Sequence, residues 1–361
     1  MAFDKVFQGL VLRDVTRLSD CKELGRGAYG KVYKVKYCGK IFAAKEIHPL
    51  LLEAVGEAQT QRIVESFMRE CLQCSKLCHP NVVQFLGVYY PATTAGAQQN
   101  LRGRGMQLRL PIMVMELMEN SLASRLDRKQ EKIPIWFKYS IVHDVSLGLH
   151  YLHSRDPPLV HRDLSSNNVL LTKYFEAKIS DLGVAKALTP EKPRLYTKAP
   201  GTIDFMPPEC LSSQKTVYGL PMDVYSFAGI VLHTFSEEWP TPLDKIYNEE
   251  TRSYIVRSES ERRQRYLDKM KNEAESLLPL VKSCLNDVPK DRPPIKIVSD
   301  RVGQCKDAYM KKVTFPQFKE IISDEEIQRL QTGNERLQAE IEHLKVRESI
   351  NMFDVVYDVA I

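Results

Sequence analysis

His161-Arg162-Asp163-Leu164-Ser165-Ser166-Asn167-Asn168-Val169-Leu170-Leu171 sets a carboxylate five residues before a carboxamide, in a polar turn between two apolar segments. Ahead of it Ile141, Val145, Leu149 and Leu152 recur at helical spacing, and behind it Val169-Leu170-Leu171 reads as a short strand. A second carboxylate follows in Ile179-Ser180-Asp181-Leu182-Gly183. A loop that brings Asp163 and Asn168 beside Asp181 can do two jobs at once. One carboxylate accepts the proton of an incoming hydroxyl, while Asn168 and the other carboxylate hold a hard cation through oxygen. Together these are the chemistry of phosphoryl transfer from a magnesium nucleotide.

Working outward, Leu24-Gly25-Arg26-Gly27-Ala28-Tyr29-Gly30-Lys31-Val32 carries glycines at the G-x-G-x-x-G spacing. A dinucleotide-binding turn shows the same letters but runs into a helix. Here Lys31 to Tyr37 alternates as a strand, so the glycines lie in a hairpin, where they admit close approach of phosphates to the backbone. Lys40-Ile41-Phe42-Ala43-Ala44-Lys45-Glu46-Ile47 reads as the next strand, and its mid-strand lysine needs anionic partners if it is buried. Glu70 and Glu65 on the helix Val64–Leu72 are the two candidates. Ile112 to Met118 reads as a buried strand running into a connector, after a glycine-rich loop over residues 91–110.

In order and spacing these elements resemble the eukaryotic protein kinase family over residues 18–312. The catalytic loop H-R-D-L-x-x-x-N is met in full, and D-F-G is met as Asp181-Leu182-Gly183. The resemblance implies an α+β, two-lobed fold: a small β-rich lobe over about 18–115 and a large helical lobe over about 119–312. It further implies ATP and Mg2+ as cofactors and a protein substrate. Asp163 then serves as catalytic base, Asn168 and Asp181 as metal ligands, and Lys45 as the phosphate contact, held by Glu70 on the family's spacing. Gly25, Gly27 and Gly30 cover the phosphates. Met115 is the gatekeeper, the backbone of Glu116 and Met118 meets adenine, and Val32, Ala43 and Leu170 sandwich the ring. The activation segment runs from Asp181 to Glu209, with Thr197, then Thr189 and Tyr196, as candidate phosphorylation sites opposite Arg162. Asp223 resembles the helix aspartate that anchors the catalytic loop, and Arg292 matches the arginine that pairs with Glu209.

Gly201-Thr202 and the lack of an Ala-Ala-Arg insert point to serine/threonine acceptors. Ser165 departs from the family, which usually has lysine there, and resembles the tyrosine-kinase-like group. The change removes one positive charge near the γ-phosphate. Dual specificity and a nucleotide-binding pseudokinase scaffold stand as alternatives. A scaffold, however, has no physical need for Lys45, Glu70, Asp163, Asn168 and Asp181 together.

The 361 residues suffice for one large domain with an appendage, and 43 % hydrophobic residues can supply its core. Basic and acidic residues number 51 and 46, a mixed balance that does not suggest nucleic-acid binding. No apolar run is long enough for a membrane span, and the longest, Val224–Phe235, reads as a buried helix. With no secretory run at its start, the chain is expected to be cytoplasmic. The 8 cysteines are too scattered for a disulfide framework. Cys71, Cys74, Cys78 and His79 invite a zinc reading, but the same spacing lays the cysteines along one helical face as small hydrophobes. The arginine- and glutamate-rich stretch 248–275 reads as a solvated helical face.

Residues 1–17 form an N-terminal extension and 313–361 a tail. Ser323-Asp324-Glu325-Glu326 fits a helix capping box. Ile327, Asn334 and Ile341 at a, with Leu330, Leu337 and Leu344 at d, then suit a short coiled-coil helix over about 324–349. That stripe either pairs two chains as a homodimer or packs back onto the domain. Val359 and Ile361 at the carboxyl end suit a PDZ-type partner.

Overall fold

The computed structural model describes residues 7, 9–18, 23–26, 30–47, 56–90, 110–128, 132–183, 185–187, 195–196, 202–211, 217–240, 245–248, 253–256 and 259–313. Gly27, the loop residues 91–109, Thr189, Thr197, the heptad stripe and the carboxyl end lie outside them. The chain divides into two compact units, Met1–Lys306 and Asp307–Ile361.

The small lobe is an antiparallel sheet of β1 (Thr16–Arg17), β2 (Gly25–Arg26), β3 (Gly30–Tyr37), β4 (Lys40–Ile47), β5 (Phe85–Tyr89) and β6 (Ile112–Met115). Its order is β1-β3-β4-β6-β5, with β2 also on β3. The hairpin β3–β4 turns on Cys38 and Gly39, whose φ angles of 45° and 79° suit a two-residue loop matched to strand twist. That turn fixes a register with Val32 opposite Lys45, and β6 continues it with Met113 opposite Lys45 and Met115 opposite Ala43. Because side chains alternate, Val32, Ala43, Lys45 and Met115 share one face. Helix α1 (Glu57–Cys74) packs on the sheet through Val64, Phe67, Met68 and Cys71, one stripe at helical spacing.

The large lobe opens with β7 (Asn120–Ser121) and α2 (Leu122–Leu126), capped by Ser121 accepting from Ser124 N at 3.1 Å. Then come α3 (Ile135–His153), β8 (Leu159–Val160), β9 (Val169–Leu171), β10 (Ala177–Ile179) and β11 (Lys186–Ala187). They form the small sheets β10-β9-β7 and β11-β8. β12 (Leu195–Tyr196) pairs with β13 (Val217–Tyr218), and β14 (Lys245–Asn248) with β15 (Ser253–Val256). Helices α4 (Pro208–Leu211), α5 (Leu220–Ser236), α6 (Glu259–Ala274), α7 (Leu278–Cys284) and α8 (Ile295–Lys312) complete the described residues.

The apolar run at Val224–Phe235 is α5, buried from Met222 to Phe235. Among the described residues no helix is long and apolar enough to cross a membrane. The charge-rich stretch 248–275 is not helical throughout: Asn248 and Ser253–Val256 lie in the β14–β15 pair, and only Glu259–Ala274 forms α6, which buries Leu267, Met270 and Ala274.

Candidate active site

The catalytic loop is held from below by one buried carboxylate. Asp223, 0 % exposed in α5, accepts from His161 N (2.8 Å), Arg162 N (2.9 Å) and shares a 2.9 Å bond with His153 Nε2. The Arg162 bond steadies a residue in the left-handed region, φ 73°. Asp163 N donates to His161 Nδ1 (3.3 Å), so Nε2 carries the ring proton and donates it to Ser180 O at 2.9 Å. Asp223 thus sets the backbone, and His161 ties the loop to the segment that carries Asp181.

Asp163 itself is oriented by three donors. Thr202 N and Oγ1 both reach its Oδ1, at 2.8 and 2.9 Å, and Asn168 Nδ2 reaches Oδ2 at 3.2 Å. Asn168 Nδ2 also donates to the Asp163 carbonyl at 2.7 Å, which leaves the amide oxygen as its acceptor atom. Ser165 does not substitute for a lysine here. It is fully buried, its hydroxyl finds no hydrogen-bond partner, and its carbonyl accepts from Asn168 N at 3.0 Å.

Lys45 meets Glu70 at 2.6 Å and Asp181 at 3.0 Å, which decides between the two glutamates. Glu65 instead accepts from Gln61 at 3.0 Å. Burial works against the Lys45 ammonium, but Glu70 and Asp181 outweigh it and raise its pKa. Burial pushes the Glu70 carboxyl up while Lys45 pulls against it, so the charge of Glu70 depends on the lysine. For Asp181, desolvation in the cleft would raise the pKa, and Lys45 overcomes it to hold the group below its usual range. Gly183 leaves room for the arrangement: a Cβ there would sit tightly against Glu70 Oε2 at 3.1 Å and Asp181 Oδ1 at 3.2 Å.

The donor set fits magnesium. Asp181 is an ionised carboxylate with a 45 % exposed side chain, and Asn168 offers an amide oxygen. Such a set is short of a protein cage, and magnesium characteristically takes one or two protein oxygens and completes its shell with phosphate and water.

The glycines behave differently from one another. Gly30 is needed by the sheet, since a Cβ there would lie 2.4 Å from Glu46 O, whereas a Cβ at Gly25 meets open space. Leu24 is 44 % exposed beside Gly25 and donates from its N to Val32 O at 2.8 Å. At the other wall Glu116 and Met118 lie in the connector between β6 and β7, and Leu170 sits in β9 opposite Lys178 and Ser121.

The Glu116 carboxylate also accepts from Gln84 N (2.6 Å) and from Lys178 Nζ (2.9 and 2.7 Å), a clamp with no local sequence signal. Arg292 holds Glu209 through two 2.7 Å bonds. Cys71 is in the core and Cys74 packs against it, where burial pushes the Cys74 thiol up to about 12, but Cys78 lies beyond the end of α1 and is exposed, so the three cysteines do not share one helical face. Among the described residues no group of three or more His, Cys, Asp or Glu side chains is placed to hold a metal.

A base-bearing loop, a lysine–glutamate pair and a hinge between a β-rich and a helical lobe define a phosphotransferase of the two-lobed kinase type. The protein kinase domain family matches residues 18–301, and the chain belongs to that family. It is 28 % identical over 315 residues to probable serine/threonine-protein kinase kinX of Dictyostelium discoideum, covering 86 % of this chain and 25 % of that protein. It is 30 % identical over 319 residues to wall-associated receptor kinase-like 1 of Arabidopsis thaliana, with 84 % and 40 % covered. With serine/threonine-protein kinase TNNI3K of Mus musculus the identity is 32 % over 219 residues, 60 % and 24 % covered. The matches span 24 % to 40 % of these relatives' lengths. A protein kinase domain implies ATP as phosphoryl donor and a protein as acceptor.

Proposed function

We propose that the chain is an ATP- and magnesium-dependent protein kinase that phosphorylates serine and threonine hydroxyls and belongs to the tyrosine-kinase-like group. The observation that carries the reading is Lys45 joined at once to Glu70 and Asp181, beside an Asp163 oriented by Thr202 and Asn168. A lysine so paired is ready to exchange a carboxylate for phosphate oxygens. Asp163 takes the proton of the acceptor hydroxyl as it attacks, and its fixed orientation keeps one oxygen in reach of that proton. Magnesium, held by Asp181 and Asn168, supplies charge neutralisation on the phosphates. The contact between Thr202 and Asp163 supports serine/threonine acceptors, as do the names of the Dictyostelium and mouse relatives.

Phosphotransfer to a general protein acceptor, followed by phosphoamino-acid analysis, tests this. Asp163→Asn is expected to lose at least about 100-fold in kcat with nucleotide affinity changed less than about threefold. Chelating divalent cations is expected to abolish transfer in the parent. Transfer by Asp163→Asn at the parental rate, or phosphotyrosine as the sole product, overturns the assignment.

A further inference from the structure

Of the residues ahead of the family match, Phe7 and 9–17 are described, and they are built into the small lobe. Leu12 N donates to Val88 O (2.7 Å), Val88 N donates to Leu10 O (2.9 Å), and Val11 makes a parallel bridge with Val88. β5 ends the sheet order, so this segment covers an edge whose backbone groups would otherwise stand open. Gly87 is shaped for it: a Cβ there would meet Leu10 O at 2.5 Å and Leu12 Cγ at 2.8 Å. Leu10 N then returns to Phe7 O at 2.8 Å, and Phe7 is 0 % exposed. It shares a core cluster with Val64, Phe67, Met68 and Cys71, the inward stripe of α1, and Met115 packs against the same cluster.

Helix α1 carries Glu70. Beyond its carboxyl end Cys78 N donates to Tyr151 Oη (3.0 Å) and His79 stacks on the Tyr151 ring at 4.7 Å, tying that end to α3. Its amino end starts at Gly56 with no side-chain cap. The face between is positioned by what lies beneath it, and part of that filling is Phe7. A cavity in place of Phe7 would let the helix settle inward and carry Glu70 off Lys45. We propose that Phe7 and residues 9–12 are a strap that sets α1, and that Phe7 is a positioning residue for the Lys45–Glu70 pair. The inference rests on the phosphotransfer reading above.

The test uses the full chain as parent, Phe7→Ala, Phe7→Leu and Gly87→Ala, with Phe7→Ala repeated in a Glu70→Gln background. Steady-state phosphotransfer is read beside hydrogen exchange in α1 and α3. Phe7→Ala and Gly87→Ala are expected to lower kcat by about tenfold and to speed exchange in α1 but not α3, with Phe7→Leu within about threefold of the parent. In the Glu70→Gln background Phe7→Ala should cost less than about twofold more, because the strap acts through that carboxylate. Unchanged kcat, unchanged α1 exchange, or the same loss with and without Glu70 overturns the strap. Should Phe7→Ala unfold, Gly87→Ala, alone and in the Glu70→Gln background, carries the same comparisons. If the parent transfers no phosphate, that failure belongs to the phosphotransfer reading, and faster α1 exchange in the variants still decides for the strap.

Discussion

Asp163 accepts two bonds from Thr202, one from the backbone and one from the hydroxyl, and only the second depends on the side chain. A hydrogen bond to a charged group contributes about 1.5–3 kcal/mol, so Thr202→Ala is expected to lower kcat by at least about tenfold with KM for ATP little moved. Thr202→Ser should restore most of it. An equal rise in KM would place Thr202 in nucleotide binding instead. Beneath the loop, His233 Nδ1 shares a 2.9 Å bond with Ser166 Oγ, and burial lowers its pKa to about 4 against the pull of Asp127. The neutral ring's contribution is complete above pH 6.5 and is lost as pH falls toward 4. Across that window, unfolding free energy of the parent relative to His233→Gln should grow by about 3 kcal/mol as pH rises. Taking the difference removes Asp144, whose carboxyl burial raises to about 6 and whose slope has the opposite sign. A flat difference between the two proteins would mean that His233 is not held neutral by the fold.

At the scale of elements, α5 and the segment before it share a fastening. Arg292 donates from Nε to Asn286 O, from Nη1 to Pro221 O at 3.1 Å, and in two bonds to Glu209, with its side chain 0 % exposed. Arg292→Ala strands the Glu209 charge and should cost about 3–5 kcal/mol in urea unfolding, with Arg292→Leu/Glu209→Leu recovering part of the loss. The recovery is partial because the two carbonyls also lose a donor. An Arg292→Ala protein within about 1 kcal/mol of the parent would show the pair to be solvated in solution.

Such fastenings divide what is legible in the chain from what is not. Asp163 and Asn168 are five residues apart in a turn, and a hairpin sets Val32 against Lys45, so local pattern suffices for both. Phe7 lies in a stretch without periodicity, and its partners Val64 to Cys71 come from a helix more than fifty residues on. His153 and Lys178 likewise read as ordinary helix and strand residues until the fold brings Asp223 and Glu116 to them. Spacing marks Gly30 as a phosphate glycine, and the fold adds a second demand on it that spacing does not carry, the close approach of Glu46 in the neighbouring strand.

For the whole molecule, what matters is how the two lobes of the kinase domain are joined around the connector. Asn81 O accepts from Ile179 N (2.9 Å), Ile179 O accepts from Val83 N (2.9 Å), and Asn81 Nδ2 donates to Ala177 O (3.1 Å). The segment between α1 and β5 is therefore bonded to β10 of the large lobe. Gly148 in α3 allows that approach, since a Cβ there would come 2.4 Å from Asn81 O. Glu116 extends the joint into the hinge: one carboxylate spans Gln84 N at the start of β5 and Lys178 in β10. Both side chains are partly shielded, at 17 % and 25 % exposure, so the pair is weaker than a buried one but restrained at each end. Lys178→Met keeps the aliphatic stem and removes the charge. The connector should then sample more orientations, and the backbone of Glu116 and Met118 would meet adenine less often in the right geometry. Because adenine contacts are made equally in the ground and transition states, the loss should fall on KM for ATP, rising about three- to tenfold with kcat within about twofold. The effect should also shrink little with added salt, unlike that of a solvated pair. A fall in kcat with KM unchanged would mean that the clamp acts on the catalytic loop through β9 and β10, not on the hinge.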